Sequence, residues 1–237
     1  MDYKPLPIGV EDFARFKQDG YYYVDKTLFI KELLDKRGMV NLFTRPRRFG
    51  KTLTLSMLKH FFEIGSDASL FEGLGIMSAG DRYTSLMGQY PVISLTLKSA
   101  KQMKMDSSFA GLKDTISGEF TRHSYISDSE RIEREQLELF NAFRNRSPQT
   151  EEYKSALLLL SECLYKHHGK RVIILIDEYD VPLENSFYNG FYNEMVDFIR
   201  NFFETGLIEE GYIRTARVGI AFFKKTLRVV IEDGVNL

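Results

Sequence analysis

Residues Met39–Met57, with the sequence MVNLFTRPRRFGKTLTLSM, decide the fold of this 237-residue chain. The stretch opens with the apolar run Val40–Phe43, which predicts a short buried strand. A basic turn that contains glycine follows, and Lys51 begins a segment in which Leu53 and Met57 recur at helical spacing. A strand, a turn and a helix in this order are typical of a phosphate-binding loop, because the amide groups and the dipole at the start of the helix attract an anion.

The turn fits the pattern G-x-x-x-x-G-K-[ST] at one end: Gly50, Lys51 and Thr52 are present, whereas Arg45 stands in place of the first glycine. In this interpretation Lys51 neutralises the outer phosphates, and the Thr52 hydroxyl joins the ligands of a bound Mg²⁺. The alternative is a surface turn whose lysine is merely solvated. The residues predicted to contact the nucleotide are Arg48, Phe49, Gly50, Lys51, Thr52 and Leu53.

Arg171–Glu178 forms the second motif, in which the apolar run Val172–Ile176 is followed by two carboxylates. An apolar run without alternation is typical of a parallel strand that is covered on both faces. Open α/β sheets bind ligands at the carboxyl ends of such strands, which is where Asp177 and Glu178 stand. We therefore assign Asp177 to Mg²⁺, through a bound water, and Glu178 to orienting or deprotonating an attacking water. The alternative is structural, with both acids simply ending the strand.

The composition suits one α/β domain, alone or with a small appendage. Apolar residues make up 43% of the chain and charged residues 27%, which is enough apolar material for a sizeable core. The net charge of −1 gives no general field for nucleic acid or a membrane surface, so such a partner would need a local basic patch. Cys163 has no partner for an internal disulfide, and its leucine-rich surroundings predict a small core residue. No apolar run has signal-peptide or membrane-spanning length, so we expect a cytoplasmic protein.

Hydrophobic periodicity predicts the remaining elements. Aromatic core packing is favoured for Tyr21–Tyr23, with stacking on a nucleotide base as the alternative. The predicted helices span about 28–36, 51–64, 106–123, 128–146, 151–168 and 189–206, the predicted strand spans 91–97, and a β-hairpin is predicted over 218–231.

Three segments give the chain a resemblance to the AAA-ATPase-like family of bacteria and archaea: Tyr23–Thr27 (YVDKT), Arg45–Leu58 (RPRRFGKTLTLSML) and Ile176–Leu183 (IDEYDVPL). Members of that family typically join a P-loop ATPase domain to a C-terminal PD-(D/E)XK nuclease-like domain, and an arginine in place of the first glycine is ordinary among them. The resemblance runs from about Pro7 to Phe203. It implies the ASCE/AAA-like fold of P-loop NTPases, a parallel sheet flanked by helices, with ATP and Mg²⁺ as cofactors.

After Phe203 the sequence departs from that family. The next core strand with its polar sensor residue and the arginine-bearing segments are not recognisable, and Val218–Lys225 resembles the closing strands of the nuclease-like domain. We therefore expect an ATPase domain at 1–206 and a C-terminal remnant at 207–237, with an internal deletion as the explanation. Such a sheet would be incomplete on its C-terminal side, between 40–44 and 172–176. We expect 218–223 or 227–232 to fill that gap.

The sequence supports three functions in descending order. A Mg²⁺-dependent ATPase is the leading hypothesis, with Lys51 and Glu178 as catalytic residues, Thr52 and Asp177 on the metal, and Arg47 or Arg48 as a further charge near the phosphates. The alternative is a truncated remnant or interaction module that binds nucleotide without hydrolysing it, because the sensor strand is missing. Direct nuclease activity ranks third, because the nuclease acids and lysine of the family are not recognisable. The oligomeric state and the physiological partner are not predicted.

Overall fold

The computed structural model of the chain describes residues 5–36, 40–41, 49–207 and 217–218. Most of the described elements are helices, and short strands lie between them. The helices are α1 Phe13–Gln18, α2 Leu28–Lys36, α3 Lys51–Phe62, α4 Asp81–Thr84, α5 Met105–Arg122, α6 Arg134–Arg144, α7 Ala156–His168, α8 Val181–Asn189 and α9 Tyr192–Leu207, and the strands are β1 Val40–Asn41, β2 Val92–Thr96, β3 Ile173–Asp177 and β4 Arg217–Val218.

The centre of the described structure is the parallel pair β2 and β3. The two strands are in register from Val92 opposite Ile173 to Thr96 opposite Asp177. Parallel strands need a long crossover connection, and α5, α6 and α7 provide it here. Because both strands run in the same direction, their carboxyl ends meet at one edge of the sheet, where Thr96 and Asp177 lie side by side.

Helices cover both faces of this strand pair, and the alternation of side chains along β3 divides the core into two clusters. Ile173 and Leu175 face one cluster, to which α1, α2 and α3 contribute most of the helical residues. Ile174 and Ile176 face the other, to which α5, α6, α7 and α9 contribute. The prediction of a buried strand covered on both faces is therefore confirmed, and Cys163 is confirmed as a buried core residue.

Two charged side chains of α5 cover the outer edge of β2. A carboxylate oxygen of Glu119 accepts a hydrogen bond from the Ser94 amide at 2.7 Å, and the Arg122 guanidinium donates to the carbonyl of Val92. Arg122 also pairs with Glu119 and with Glu63, which follows α3. Unpaired edge groups would invite the addition of another strand, so these contacts end the described sheet at β2.

β1 and β4 form the second strand pair. They are parallel, with Val40 opposite Arg217 and Asn41 opposite Val218. The backbone of β4 also lies next to β3. A segment near the carboxyl end thus lies where the sequence predicts a gap, and the place of Val218 agrees with the 218–223 alternative. The rest of that segment and nearly all of the predicted hairpin lie outside the described residues, so the described strands amount to less than the complete P-loop sheet predicted from the sequence.

Most predicted helices are confirmed, but two of them begin differently from the prediction and α8 was not predicted. The helix predicted over 128–146 begins only at Arg134, because both Ile126 and Ile132 are buried in the core and hold the preceding segment out of helical geometry. The first turn of the helix predicted over 151–168 is a 3₁₀ turn at Thr150–Ser155. The periodicity did not predict α8, whose Pro182 stands in the first turn, where its missing N–H is not needed. In the part of the chain that the structure describes, no helix has the length and apolar character needed to cross a bilayer.

Candidate functional site

The amino end of α3 is built for a ligand that accepts hydrogen bonds. Gly50 precedes the helix with φ +75° and ψ +29°, a left-handed conformation that glycine adopts without the steric cost of a β-carbon. No side chain caps the helix, so the amide groups of its first turn keep their donors free of a capping oxygen. The first intrahelical bond runs from the Thr54 amide to the Gly50 carbonyl at 2.9 Å. This end of α3 therefore combines free donors with the positive end of the helix dipole.

Thr52 and Asp177 are 125 positions apart in the sequence and meet in space. The Thr52 hydroxyl donates a hydrogen bond to Oδ2 of Asp177 at 2.7 Å. The other carboxylate oxygen, Oδ1, accepts a bond from the amide of Glu178 at 3.0 Å. Both oxygens of Asp177 are thus held, and the start of α3 is joined to the carboxyl end of β3. The structure brings together the two residues that the sequence assigned to one metal, although their role as ligands stays a prediction.

Glu178 has a strained backbone. Its φ of +53° lies in the left-handed region, where a residue with a β-carbon is disfavoured by about 1–2 kcal/mol. The turn is closed by a bond from the Val181 amide to the Glu178 carbonyl at 3.1 Å, which leads the chain from β3 into α8. Strain of this kind at the carboxyl edge of a sheet is a feature of functional sites, where surrounding structure holds a residue in a disfavoured conformation.

The other predicted contact residues lie around the start of α3. Lys51 is its first residue and is half-buried. The Phe49 side chain is 59% exposed. Leu53 packs against the core cluster shared by α1, α2 and α3, so its backbone amide is the group that it offers to a ligand. Arg48, like Arg45 and Arg47, lies outside the described residues.

A preformed metal cage is not part of this site. Within residues 5–36, 40–41, 49–207 and 217–218, no group of three or more His, Cys, Asp or Glu side chains is arranged to hold a metal ion. The donors that do converge are one hydroxyl and one carboxylate, from Thr52 and Asp177. Mg²⁺ is commonly bound by one or two protein oxygens together with phosphates and waters, so this donor set fits that ion when it arrives with a nucleotide.

Two residues beside the site, Lys26 and Thr96, were not among the predicted contacts. A β-carbon built on Gly50 would lie 3.7 Å from Nζ of Lys26, which therefore reaches the turn before α3. Thr96 is the neighbour of Asp177 in the register of β2 and β3. Only the fold joins these residues to the two motifs, so spacing along the chain could not reveal them. The one signal for Lys26 was its place in the YVDKT segment that carried the family resemblance.

Two of the three tyrosines that precede Lys26, Tyr21 and Tyr23, pack against aromatic side chains of the core. The Tyr23 ring packs against Phe13 and Phe16, with centroids 5.7 and 5.3 Å away, and burial raises the pKa of Tyr23 to about 12. Tyr22 is 55% exposed. Tyr21, Tyr22 and Tyr23 also line an open cavity of about 630 Å³. The preference for aromatic core packing is confirmed for Tyr23.

Comparison with known proteins gives a match over most of the chain. A family model described as a predicted AAA-ATPase matches residues 7–226, which begins where the expected resemblance begins and continues past its expected end at Phe203. A protein of Azotobacter chroococcum mcd 1, described as an uncharacterized protein in the vnfD 5' region, is 29% identical over 242 residues. That alignment covers 100% of this chain but only 40% of the relative. No solved structure matches the chain.

Proposed function

Since the chain belongs to the predicted AAA-ATPase family, we propose that it binds Mg²⁺-ATP at the amino end of α3 and hydrolyses it. The observation that carries this proposal is the hydrogen bond between Thr52 and Asp177. Phosphoryl transfer depends on positioning and charge neutralisation more than on covalent chemistry by the protein. A hydroxyl and a carboxylate at the end of a buried strand, next to the amino end of a helix, would position the metal ion. The metal ion and Lys51 would then neutralise the phosphate charge.

In this proposal the β- and γ-phosphates lie against the amide groups of the first turn of α3. The left-handed conformation of Gly50 removes a side chain from the place where the phosphates approach the backbone. Lys51 adds an ammonium group to the positive end of the helix dipole. The expected ligand is therefore a polyphosphate and not a neutral metabolite.

Thr52 and Asp177 would hold the metal, which supplies neutralisation of the phosphate charge when bound. The Thr52 hydroxyl uses its proton in the bond to Oδ2 of Asp177, so its oxygen lone pairs stay available to a cation. Asp177 keeps its orientation through the bond from the amide of Glu178. The pair is thus arranged before a ligand binds, which limits the entropy lost on binding.

Glu178 would act as the base. Its carboxylate accepts a proton from the water that attacks the γ-phosphorus, while the bond from that phosphorus to the oxygen of ADP breaks. The products are ADP and inorganic phosphate, and the proton returns to solvent. The strained backbone of Glu178 supports the assignment, because a purely structural strand end would gain stability from a relaxed residue.

A second candidate is a protein that binds ATP without turnover. The observation that favours it is the sequence after Phe203, where the polar sensor residue and the arginine-bearing segments expected of the family are not recognisable. ATP binding would then still depend on Lys51, whereas substitution of Glu178 would not change the release of phosphate.

Substitution of Glu178 by Gln separates the two candidates. It keeps the shape of the side chain and removes the base, so we expect phosphate release from ATP to fall by about 10²-fold or more while ATP affinity stays within about twofold of the original. Glu194→Gln is the matched control, because Glu194 is an exposed acid in the first turn of α9. Equal phosphate release from Glu178→Gln and the unchanged protein would refute hydrolysis through Glu178. Absence of release from the unchanged protein, with ATP bound, would favour the second candidate.

A further inference from the structure

Lys26 lies beside the turn that precedes α3 although it belongs to another part of the chain. Its ammonium nitrogen is 3.7 Å from the point where a β-carbon of Gly50 would stand. That point is the side of the turn left open by the glycine. A phosphate that approaches the backbone at Gly50 would therefore also approach Lys26.

The residues on both sides of Lys26 are anchored. The Asp25 carboxylate accepts hydrogen bonds from the Gly75 amide at 2.7 Å and from the Thr27 hydroxyl at 2.7 Å. Thr27 is fully buried, and its hydroxyl accepts a bond from the Ile76 amide at 3.1 Å. The backbone that carries Lys26 is thus fastened to the 3₁₀ turn Gly75–Ser78, and the exposed lysine side chain extends from it to Gly50.

The negative charge of Asp25 is already stabilised by these hydrogen bonds. Burial alone would raise its pKa, but hydrogen bonds from Gly75 and Thr27 hold the pKa of the carboxyl below its ordinary value. No carboxylate among the described residues is within ion-pair distance of Lys26 or of Lys51. The charge of Lys26 is therefore not neutralised by a described carboxylate, and it can add to the attraction of the α3 dipole for a phosphate.

We propose that Lys26 is a second phosphate-binding lysine, which contacts the polyphosphate chain of the nucleotide beside Gly50. This inference rests on the proposed function, because it needs a nucleotide at the start of α3. It extends that function by tying the bound phosphates to the segment at Asp25–Thr27 and through it to the turn at Gly75. Lys26 is a binding residue and takes no part in proton transfer.

The test is equilibrium binding of Mg²⁺-ATP and of Mg²⁺-tripolyphosphate to the full chain and to Lys26→Gln. Loss of one charge-assisted contact is expected to lower the affinity for both ligands about tenfold. Lys170→Gln is the matched control, because Lys170 is exposed and precedes β3, at the end of the strand away from Asp177. Lys51→Gln reports separately on the proposed function. The thermal midpoint of the ligand-free protein is the second readout. Lys26 makes no ion pair with a described carboxylate, so we expect Lys26→Gln to leave this midpoint unchanged.

The outcomes separate the inference from the function on which it rests. Weaker binding by the Lys26 and Lys51 variants, with the Lys170 variant unchanged, supports the inference. Weaker binding by the Lys51 variant alone overturns it and leaves the proposed function standing. Equal loss in the Lys26 and Lys170 variants, or a lowered thermal midpoint of the Lys26 variant without ligand, also overturns it, because a general charge effect or a structural role then explains the result. Unchanged binding by the Lys51 variant overturns both.

Discussion

Replacing Thr52 with Val tests the contact that joins the two motifs. Valine keeps the branched shape of threonine but has no hydroxyl, so Oδ2 of Asp177 loses its donor at 2.7 Å. A hydrogen bond to a charged group contributes about 1.5–3 kcal/mol, and water can partly replace it because both side chains are only half-buried. We therefore expect a loss of about 1–2 kcal/mol in the free energy of unfolding. For a domain of this size that loss lowers the thermal midpoint by roughly 3–6 °C.

The assay is reversible unfolding of the ligand-free protein by heat or urea, followed by circular dichroism. Thr54→Val is the matched control on the same helix, because its hydroxyl donates to the neutral carbonyl of Gly50 at 2.8 Å. The control should lose no more than about 1 kcal/mol. A double-mutant cycle with Asp177→Ala isolates the pair, and we expect a coupling energy of about 1 kcal/mol or more. Zero coupling, or a smaller loss from Thr52→Val than from Thr54→Val, would refute the reasoning.

Two further predictions concern the scaffold around β2. A β-carbon on Gly111 would lie 2.5 Å from a backbone carbonyl oxygen of the turn after β2, whereas one on Gly118 of the same helix meets nothing within 4 Å. Gly111→Ala should therefore destabilise the protein by about 1–3 kcal/mol and Gly118→Ala should stabilise it by about 0.5–1 kcal/mol, and denaturation midpoints that agree for the two variants would contradict this. For Glu119, burial alone would raise the pKa, but hydrogen bonds from His123 and Arg122 lower it from 4.5 to about 2. Because the folded pKa is the lower one, the carboxylate stabilises the fold above about pH 4.5, and about 3 kcal/mol is lost as the pH falls from there through about 2. Glu119→Gln should remove that dependence of the free energy of unfolding on pH, which urea unfolding between pH 2 and 6 measures. The same loss of stability at low pH in the variant would contradict the role given to the Glu119 carboxylate.

Much of the fold follows from local patterns in the sequence. The apolar run before Asp177 predicts a doubly covered strand, and the structure buries Ile173–Ile176 between two helical layers. The helix that begins at Lys51 follows from glycine, a basic residue and hydrophobic spacing. The meeting of Thr52 with Asp177 follows from the rule that the carboxyl ends of parallel strands and the start of the next helix share one edge of the sheet.

Other features depend on contacts that local patterns do not encode. The helix predicted over 128–146 is shortened because Ile126 and Ile132 are drawn into the core, a tertiary effect that the charge pattern conceals. Lys26 lies beside Gly50, and its neighbours Asp25 and Thr27 accept hydrogen bonds from the amides of the turn at Gly75. The pairing of β1 with β4 joins segments from opposite ends of the chain, which periodicity alone cannot foresee.

Calorimetric titration of the full chain with Mg²⁺-ATP, set beside Lys51→Ala, tests the central claim most directly. The claim is that a polyphosphate binds at the amino end of α3, next to the joined pair Thr52 and Asp177. It predicts one site per chain, and a loss of at least about tenfold in affinity when the Lys51 ammonium group is removed. Equal affinity of the two proteins, or no heat of binding with the unchanged chain, would contradict it.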